Sequence, residues 1–263
     1  AALGTVVAQV MTIGLFLAFY LHREHRLRFA VMDSFALDKG VMKRYLRLGT
    51  PSALESFMNT ATFNVFLLMF QGYGVVQGAS MAIVFNWDML SFVPMMGLSI
   101  GVMTLIGRFV GAGDMERANQ VISSGFILAL SYSAVLALLF LIFRVDLVNV
   151  FATEDAYFDE IRVLASAMMI GLTTYMMADA VILIAGGALR GAGDTRWIML
   201  TSTLLHWLML VAQYFVIVHW RLDPLVSWWV FVAMLLSIAT AYALRLYGGR
   251  WRRPERLARV MQE

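Results

Sequence analysis

Residues 118–143 read ANQVISSGFILALSYSAVLALLFLIF, a stretch without one charged side chain. About 20 mostly apolar residues in an α-helix cross a hydrocarbon layer ~30 Å thick, so this stretch alone predicts a membrane-spanning helix. Working outward, six further apolar runs lie at 1–21, 50–71, 76–107, 160–188, 196–220 and 222–247. Composition agrees: 61% of the residues are hydrophobic and 14% charged, against about 45–50% and about 25% in a soluble domain. The expected fold is therefore all-α, a polytopic membrane bundle of about seven transmembrane helices. The run at 76–107 exceeds a straight perpendicular crossing and holds Pro94 and Gly97, which predicts a tilted or kinked helix. Pro51 is expected in the first turn of its helix, where a missing N–H costs little.

Charge predicts orientation, because Lys and Arg gather in cytoplasmic loops. Arg23, Arg26, Arg28, Lys39, Lys43, Arg44 and Arg47 separate the first two runs; Arg108 and Arg117 follow the third; Arg190 and Arg196 follow the fifth; Arg245, Arg250, Arg252, Arg253, Arg256 and Arg259 close the chain. With seven crossings these all fall on one face, leaving only Arg144, Arg162 and Arg221 with the acidic cluster Glu154, Asp155, Asp159 and Glu160 on the other. The expectation is an amino terminus outside and a carboxyl terminus in the cytoplasm of a multi-pass inner-membrane protein. Basic residues scattered between apolar runs argue against nucleic acid as a partner. The chain has no cysteine, which excludes disulfides, thiolate nucleophiles and cysteine-held metals, and no metal-ligand spacing or cofactor motif is present. Ala1 already lies within an apolar run with no basic stretch before it, so a truncated start is expected in preference to a signal peptide. Between the first two runs, Leu37, Val41, Tyr45 and Leu48 recur at helical spacing among Lys39, Lys43, Arg44 and Arg47, the pattern of a helix lying in the headgroup plane.

One tetrapeptide occurs twice, as Gly111-Ala112-Gly113-Asp114 and Gly191-Ala192-Gly193-Asp194, with Arg108 and Arg190 just before. It reads as a tight turn in which glycine supplies positive φ and the aspartate caps the following helix. Three carboxylates stand inside apolar runs, where an ionised side chain costs about 2.5–3.5 kcal/mol on insertion scales and marks a functional candidate. Asp179 has Tyr175 one turn before it; Glu55 has Asn59 one turn after; Asp88 follows Asn86 and Trp87. Asn64, Thr60 and Thr62 add oxygen atoms on the Glu55 run. Such oxygens suit a hard cation, and a carboxylate shielded from water can also take a proton. The 19 methionines and 18 phenylalanines serve packing and lipid contact as well as they would an adaptable cavity. His206 and His219 are expected as hydrogen-bonded packing residues.

The strings GRFVGAGDMERA (107–118), DAVILIAGGALRGAGDT (179–195) and GTPSALE (49–55) closely resemble the loop motifs and seventh-helix start of the multidrug and toxic compound extrusion family. The resemblance covers essentially the whole chain. It implies one lobe of a two-lobe, twelve-helix secondary transporter: residues 1–21 as the last helix of the amino-terminal lobe, 22–48 as a cytoplasmic linker, 49–248 as the six-helix carboxyl-terminal lobe and 249–263 as a basic tail. It also implies cation-coupled export of small organic, cationic compounds by alternating access, with Na⁺ or H⁺ as coupling ion, no other cofactor, and the missing amino-terminal lobe and lipid bilayer as partners. In sodium-coupled members the ion sits between a Tyr-x-x-x-Asp pair, matched by Tyr175 and Asp179, and an acid on the seventh helix. Counting from Pro51 puts Asn59 at that place and Glu55 one turn nearer the end, so Glu55 is expected to substitute or the site to bind a proton. Other classes fit less well. An intramembrane aspartyl protease carries a GxGD motif, but here no Tyr-Asp dipeptide supplies a second aspartate. A retinal protein needs a membrane lysine, and Lys39 and Lys43 are the only lysines. A lipid-linked sugar flippase of the same superfamily stays open.

Overall fold

The computed structural model describes residues 2–22, 31, 37–154 and 156–252. Two compact units divide at Arg47 and Leu48. In the first, α1 (Ala2–Tyr20) is a helix whose apolar part spans Val6–Tyr20. Most of the linker expected at 22–48, and the basic tail from residue 253 on, lie outside the described residues. α2 (Lys39–Gln71) starts at Asp38, whose Oδ1 accepts from Gly40 N at 2.7 Å and Val41 N at 3.1 Å. This satisfies two of the four unpaired N–H groups at a helix start. A helix starting at Pro51 is corrected: α2 includes residues 39–48 and runs through Pro51, so the proline lies in its interior.

In the second unit, α3 (Val75–Gly111), α4 (Met115–Ile142), the short α5 (Arg144–Asn149), α6 (Phe158–Gly191), α7 (Thr195–Gln213) and α8 (Pro224–Tyr247) follow the end of α2. α7 continues as a π-helix over Tyr214–His219, and a 3₁₀ turn covers Arg250–Arg252. Among the described residues α3, α4, α6, α7 with its π turn, and α8 are long and apolar enough to cross a membrane. The other two expected runs are helical also, but α1 has a shorter apolar part and the end of α2 is diluted by Ser52, Glu55, Ser56, Asn59, Thr60, Thr62 and Asn64. At ~1.5 Å per residue the 37 residues of α3 extend well beyond a ~30 Å core. α5, unforeseen in the sequence, receives Trp87 Nε1 at the carbonyl of Leu147, 3.1 Å away.

α6 is the axis of the unit, packed against α3, α4 and α8. Its small residues allow close approach, which in lipid takes the place of hydrophobic burial as the source of helix association. A Cβ on Gly187 would lie 2.8 Å from Ser99 O and one on Gly191 2.4 Å from Met103 O, while Ser99 Oγ donates to Leu183 O at 2.7 Å. On the far side a cluster of rings fills the space between α2, α3, α6 and α8: Phe66 stacks on Phe231 at 5.0 Å, and Tyr175 meets Phe231 edge-on at 5.8 Å. Trp228 Nε1 donates to Met168 O at 2.9 Å, so the buried indole leaves no unpaired donor. Gln213 and Ser227 exchange two hydrogen bonds, of 2.8 and 2.6 Å, between α7 and α8. Outward faces carry exposed Met89, Leu90 and Val93 on α3 and Ile127, Leu128, Val135 and Leu138 on α4. Such faces suit lipid and not water.

Candidate functional site

The two GAGD turns, the ends of α3 and α6 and the starts of α4 and α7 share one end of the unit. Gly113 has φ +74° and Gly193 φ +82°, the left-handed values the sequence pattern requires. Asp114 Oδ1 accepts from Arg117 N at 3.0 Å and so caps α4, as expected. Asp194 does not cap α7; its Oδ2 accepts from Arg245 Nε at 2.8 Å, and the Arg245 guanidinium lies 5.0 Å over the Trp197 ring. Both members of that pair are buried, whereas Arg117 is exposed.

Mid-bundle, helical spacing puts Tyr175 and Asp179 on one buried face of α6. Asp88 on α3 approaches from the side, close enough for its charge to act on both Tyr175 and Asp179. Asp179 is 7% exposed and Tyr175 1%. Tyr175 Oη and Asp88 Oδ1 are both buried with no partner in strict hydrogen-bond geometry, although they lie within interacting reach. Two carboxylates side by side in apolar surroundings repel each other, and a shared proton or a bound cation between them relieves that repulsion. Two carboxyls and a phenol give such an ion only oxygen atoms, the donor set of a hard cation.

Glu55 stands elsewhere, which corrects the expectation that it joins Asp179. Its Oε1 accepts from Arg190 Nη2 at 2.7 Å and from Tyr242 Oη at 3.5 Å. Arg190 follows Asp179 by eleven residues, or ~16 Å of helix, and carries Glu55 to the GAGD end. Asn59 is likewise turned away: its Nδ2 donates to Ser202 Oγ on α7 at 2.8 Å. Asn64 and Asn86 are exposed and donate to their own helices, at Thr60 O and Ala82 O. Asn86 also lines a cavity of about 290 Å³ with Gln71, Met81, Phe85 and Met89. Thr60 is exposed, and Thr62 is buried with its hydroxyl on Met58 O at 2.8 Å. His206 fills the packing role, with Nδ1 2.8 Å from Ser202 O. Sequence reasoning placed Arg190 in a turn motif and missed it as the counter-ion of Glu55; it counted Arg245 only as a cytoplasmic-face charge and did not single out Tyr242. At the opposite end Tyr73 Oη donates to Leu222 O at 2.8 Å; burial, then the nearby Asp223, holds its phenol above the usual range.

Comparison with known proteins identifies the family and the fold. A model of the MatE family matches residues 51–215. The chain is 29% identical over 272 residues to a probable multidrug resistance protein NorM of Thermotoga maritima, covering 98% of this chain and 55% of that protein. It is 27% identical over 274 residues to the multidrug resistance protein MdtK of Yersinia pseudotuberculosis, covering 99% and 58%. The chain thus spans just over half the length of the curated relatives it matches. Among solved structures, a MATE in complex with MaL6 superposes with TM-score 0.80 at 17% identity over 100% of this chain and 57% of that one. An outward-facing MATE family transporter of the MOP superfamily superposes with TM-score 0.71 at 22% identity over 82% and 48%. Five apolar helices and bacterial relatives make the chain a multi-pass inner-membrane protein. The outward-facing match is described as a transporter, and the two GAGD aspartates are engaged structurally, Asp114 as a helix cap and Asp194 in an ion pair.

Proposed function

Since the chain belongs to the MatE family, we propose that it is one lobe of a cation-coupled export transporter, with the coupling ion held at Asp179, Asp88 and Tyr175. The observation that carries this reading is the meeting of two acids from different helices, α3 and α6, beside a buried phenol. An ion there ties α3 to α6, and its departure leaves two like charges pushing them apart. That difference in free energy is what an ion must supply to bias one lobe arrangement over another. Each unit charge descending 100 mV supplies roughly 2.3 kcal/mol. The ion is Na⁺ or H⁺, both compatible with an all-oxygen site. The exported compound is small, organic and cationic, the second lobe completes the pathway, and the GAGD turns and carboxyl terminus face the cytoplasm.

The test is made in the full-length transporter. Asp179→Asn and Asp88→Asn should each abolish efflux of a cationic dye from energised vesicles while leaving membrane insertion intact. Normal efflux by Asp179→Asn refutes the site. Dependence of efflux on a sodium gradient or on a proton gradient alone then identifies the ion.

A further inference from the structure

A second polar assembly takes no part in that reading. Beside the Glu55–Arg190 pair lies a cavity of about 290 Å³ lined by Ser52, Glu55, Ser56, Asn59, Thr60 and Arg190, without one apolar side chain among them. In a membrane bundle, six polar residues around one opening suit a polar occupant. Ser52, Ser56 and Thr60 repeat every four residues along α2 and line up hydroxyls on one face. Asn59 has its amide nitrogen committed to Ser202, and its Oδ1 is buried with no hydrogen-bond partner. Both bonds to Glu55 fall on Oε1, and Oε2 takes part in neither. The walls are thus rich in acceptors, which calls for a donor-bearing cationic group. Arg190, 27% exposed with only Nη2 in the ion pair, offers guanidinium to an anion. Formal wall charge is zero, so the matching occupant is a zwitterion with a hydrogen-bonding cation at one end and an anion at the other. On the same turns of α2, Leu54 and Phe57 are exposed at 46% and 64%, an apolar surface next to the cavity for hydrocarbon.

We propose that this cavity binds the headgroup of a phosphatidylethanolamine-type lipid, its primary ammonium among the oxygens of Glu55, Asn59 and the hydroxyl row, its phosphate on Arg190. A quaternary choline headgroup has the same charges but no N–H to give the unpaired acceptors, so it is excluded by chemistry and not by size alone.

The purified chain is tested by native mass spectrometry from detergent, after incubation with equal dioleoyl-phosphatidylethanolamine and dioleoyl-phosphatidylcholine. At least tenfold preferential retention of the ethanolamine lipid is expected, falling to no preference in Glu55→Gln. Because Glu55→Gln also disturbs an ion pair, Ser56→Leu serves as the second variant: it fills the cavity while leaving the Glu55 and Arg190 side chains themselves unaltered, and should remove the preference equally. Equal retention of the two lipids, or preference surviving in Ser56→Leu, overturns the proposal. So does saturable binding of free phosphoethanolamine that the lipid cannot displace, which assigns the cavity to a soluble solute. None of these readouts depends on transport, so the ion site and the lipid site stand or fall separately.

Discussion

Gly111 and Gly191 hold the same place in two copies of one tetrapeptide, yet only one of them is hemmed in. No heavy atom lies within 4 Å of a Cβ built on Gly111, whereas one on Gly191 meets Met103 O at 2.4 Å, backbone that cannot swing aside. Gly191→Ala is therefore expected to cost about 1–3 kcal/mol by forcing α3 and α6 apart, and Gly111→Ala to stay within ~0.5 kcal/mol. Thermal unfolding in detergent measures both, and equal effects would remove the close-packing argument. The aspartates part company in the same way. Asp194→Ala strands Arg245, which is buried and whose Nη2 already has no partner, at a cost of about 3–5 kcal/mol. Asp114→Ala removes an exposed helix cap, at about 1 kcal/mol. The same unfolding measurement should rank Asp194→Ala well below Asp114→Ala; a reversed order contradicts the buried pair. The repeat was legible in the letters because glycine and positive φ are local matters. What each aspartate does was not, because Arg245 comes to Asp194 from 51 residues further on.

At the scale of the element, apolar runs announced themselves wherever lipid or core surrounds a helix, and α3, α4, α6, α7 and α8 lie within a few residues of their expected spans. α2 was read less well. Proline and the change from basic to apolar residues near Pro51 suggested a helix start, but Lys, Met, Arg and Leu before it are good helix formers and carry the helix through. A proline inside a helix removes one hydrogen bond and crowds the carbonyl four residues back, so Pro51→Ala should stabilise the protein by up to ~3 kcal/mol. Were Pro51 at a first turn, the same change would be neutral or slightly unfavourable, and the direction of the shift in thermal midpoint decides between them. Pairing between elements was the hidden layer. Tyr175 and Asp179 declared their common face by a spacing of four, but the approach of Asp88 depends on how α3 leans on α6, and that lean is set by Ser99, Gly187 and Gly191. Glu55 looked like a member of the ion site because depth along α2 was counted from the proline; Arg190 settles its true level at the GAGD end.

For the whole molecule the decisive consequence is sidedness, since the polar assemblies described above lie at different levels along the helices. Five crossings by α3, α4, α6, α7 and α8 put Arg117 and Arg196, at the starts of α4 and α7, at one end, and Phe151 and Trp220 at the other. The chain contains no cysteine, so a single cysteine introduced at any of these exposed positions is the sole thiol. In sealed inverted vesicles, which present the cytoplasmic face outward, a membrane-impermeant maleimide should label Arg117→Cys and Arg196→Cys at once. Phe151→Cys and Trp220→Cys should react only after the bilayer is opened. The physical reason is the charge bias: Arg108, Arg117, Arg190, Arg196 and Arg245 all belong to the GAGD end, against Arg144, Arg162 and Arg221 at the other, and basic side chains are retained on the cytoplasmic face during insertion. Full reversal of the pattern would leave the bundle intact and invert the proposed direction of ion flow. Labelling of Arg117→Cys and Phe151→Cys from the same side would mean that α4 does not cross, and with it would go the neighbourhood that brings Asp88 to Asp179.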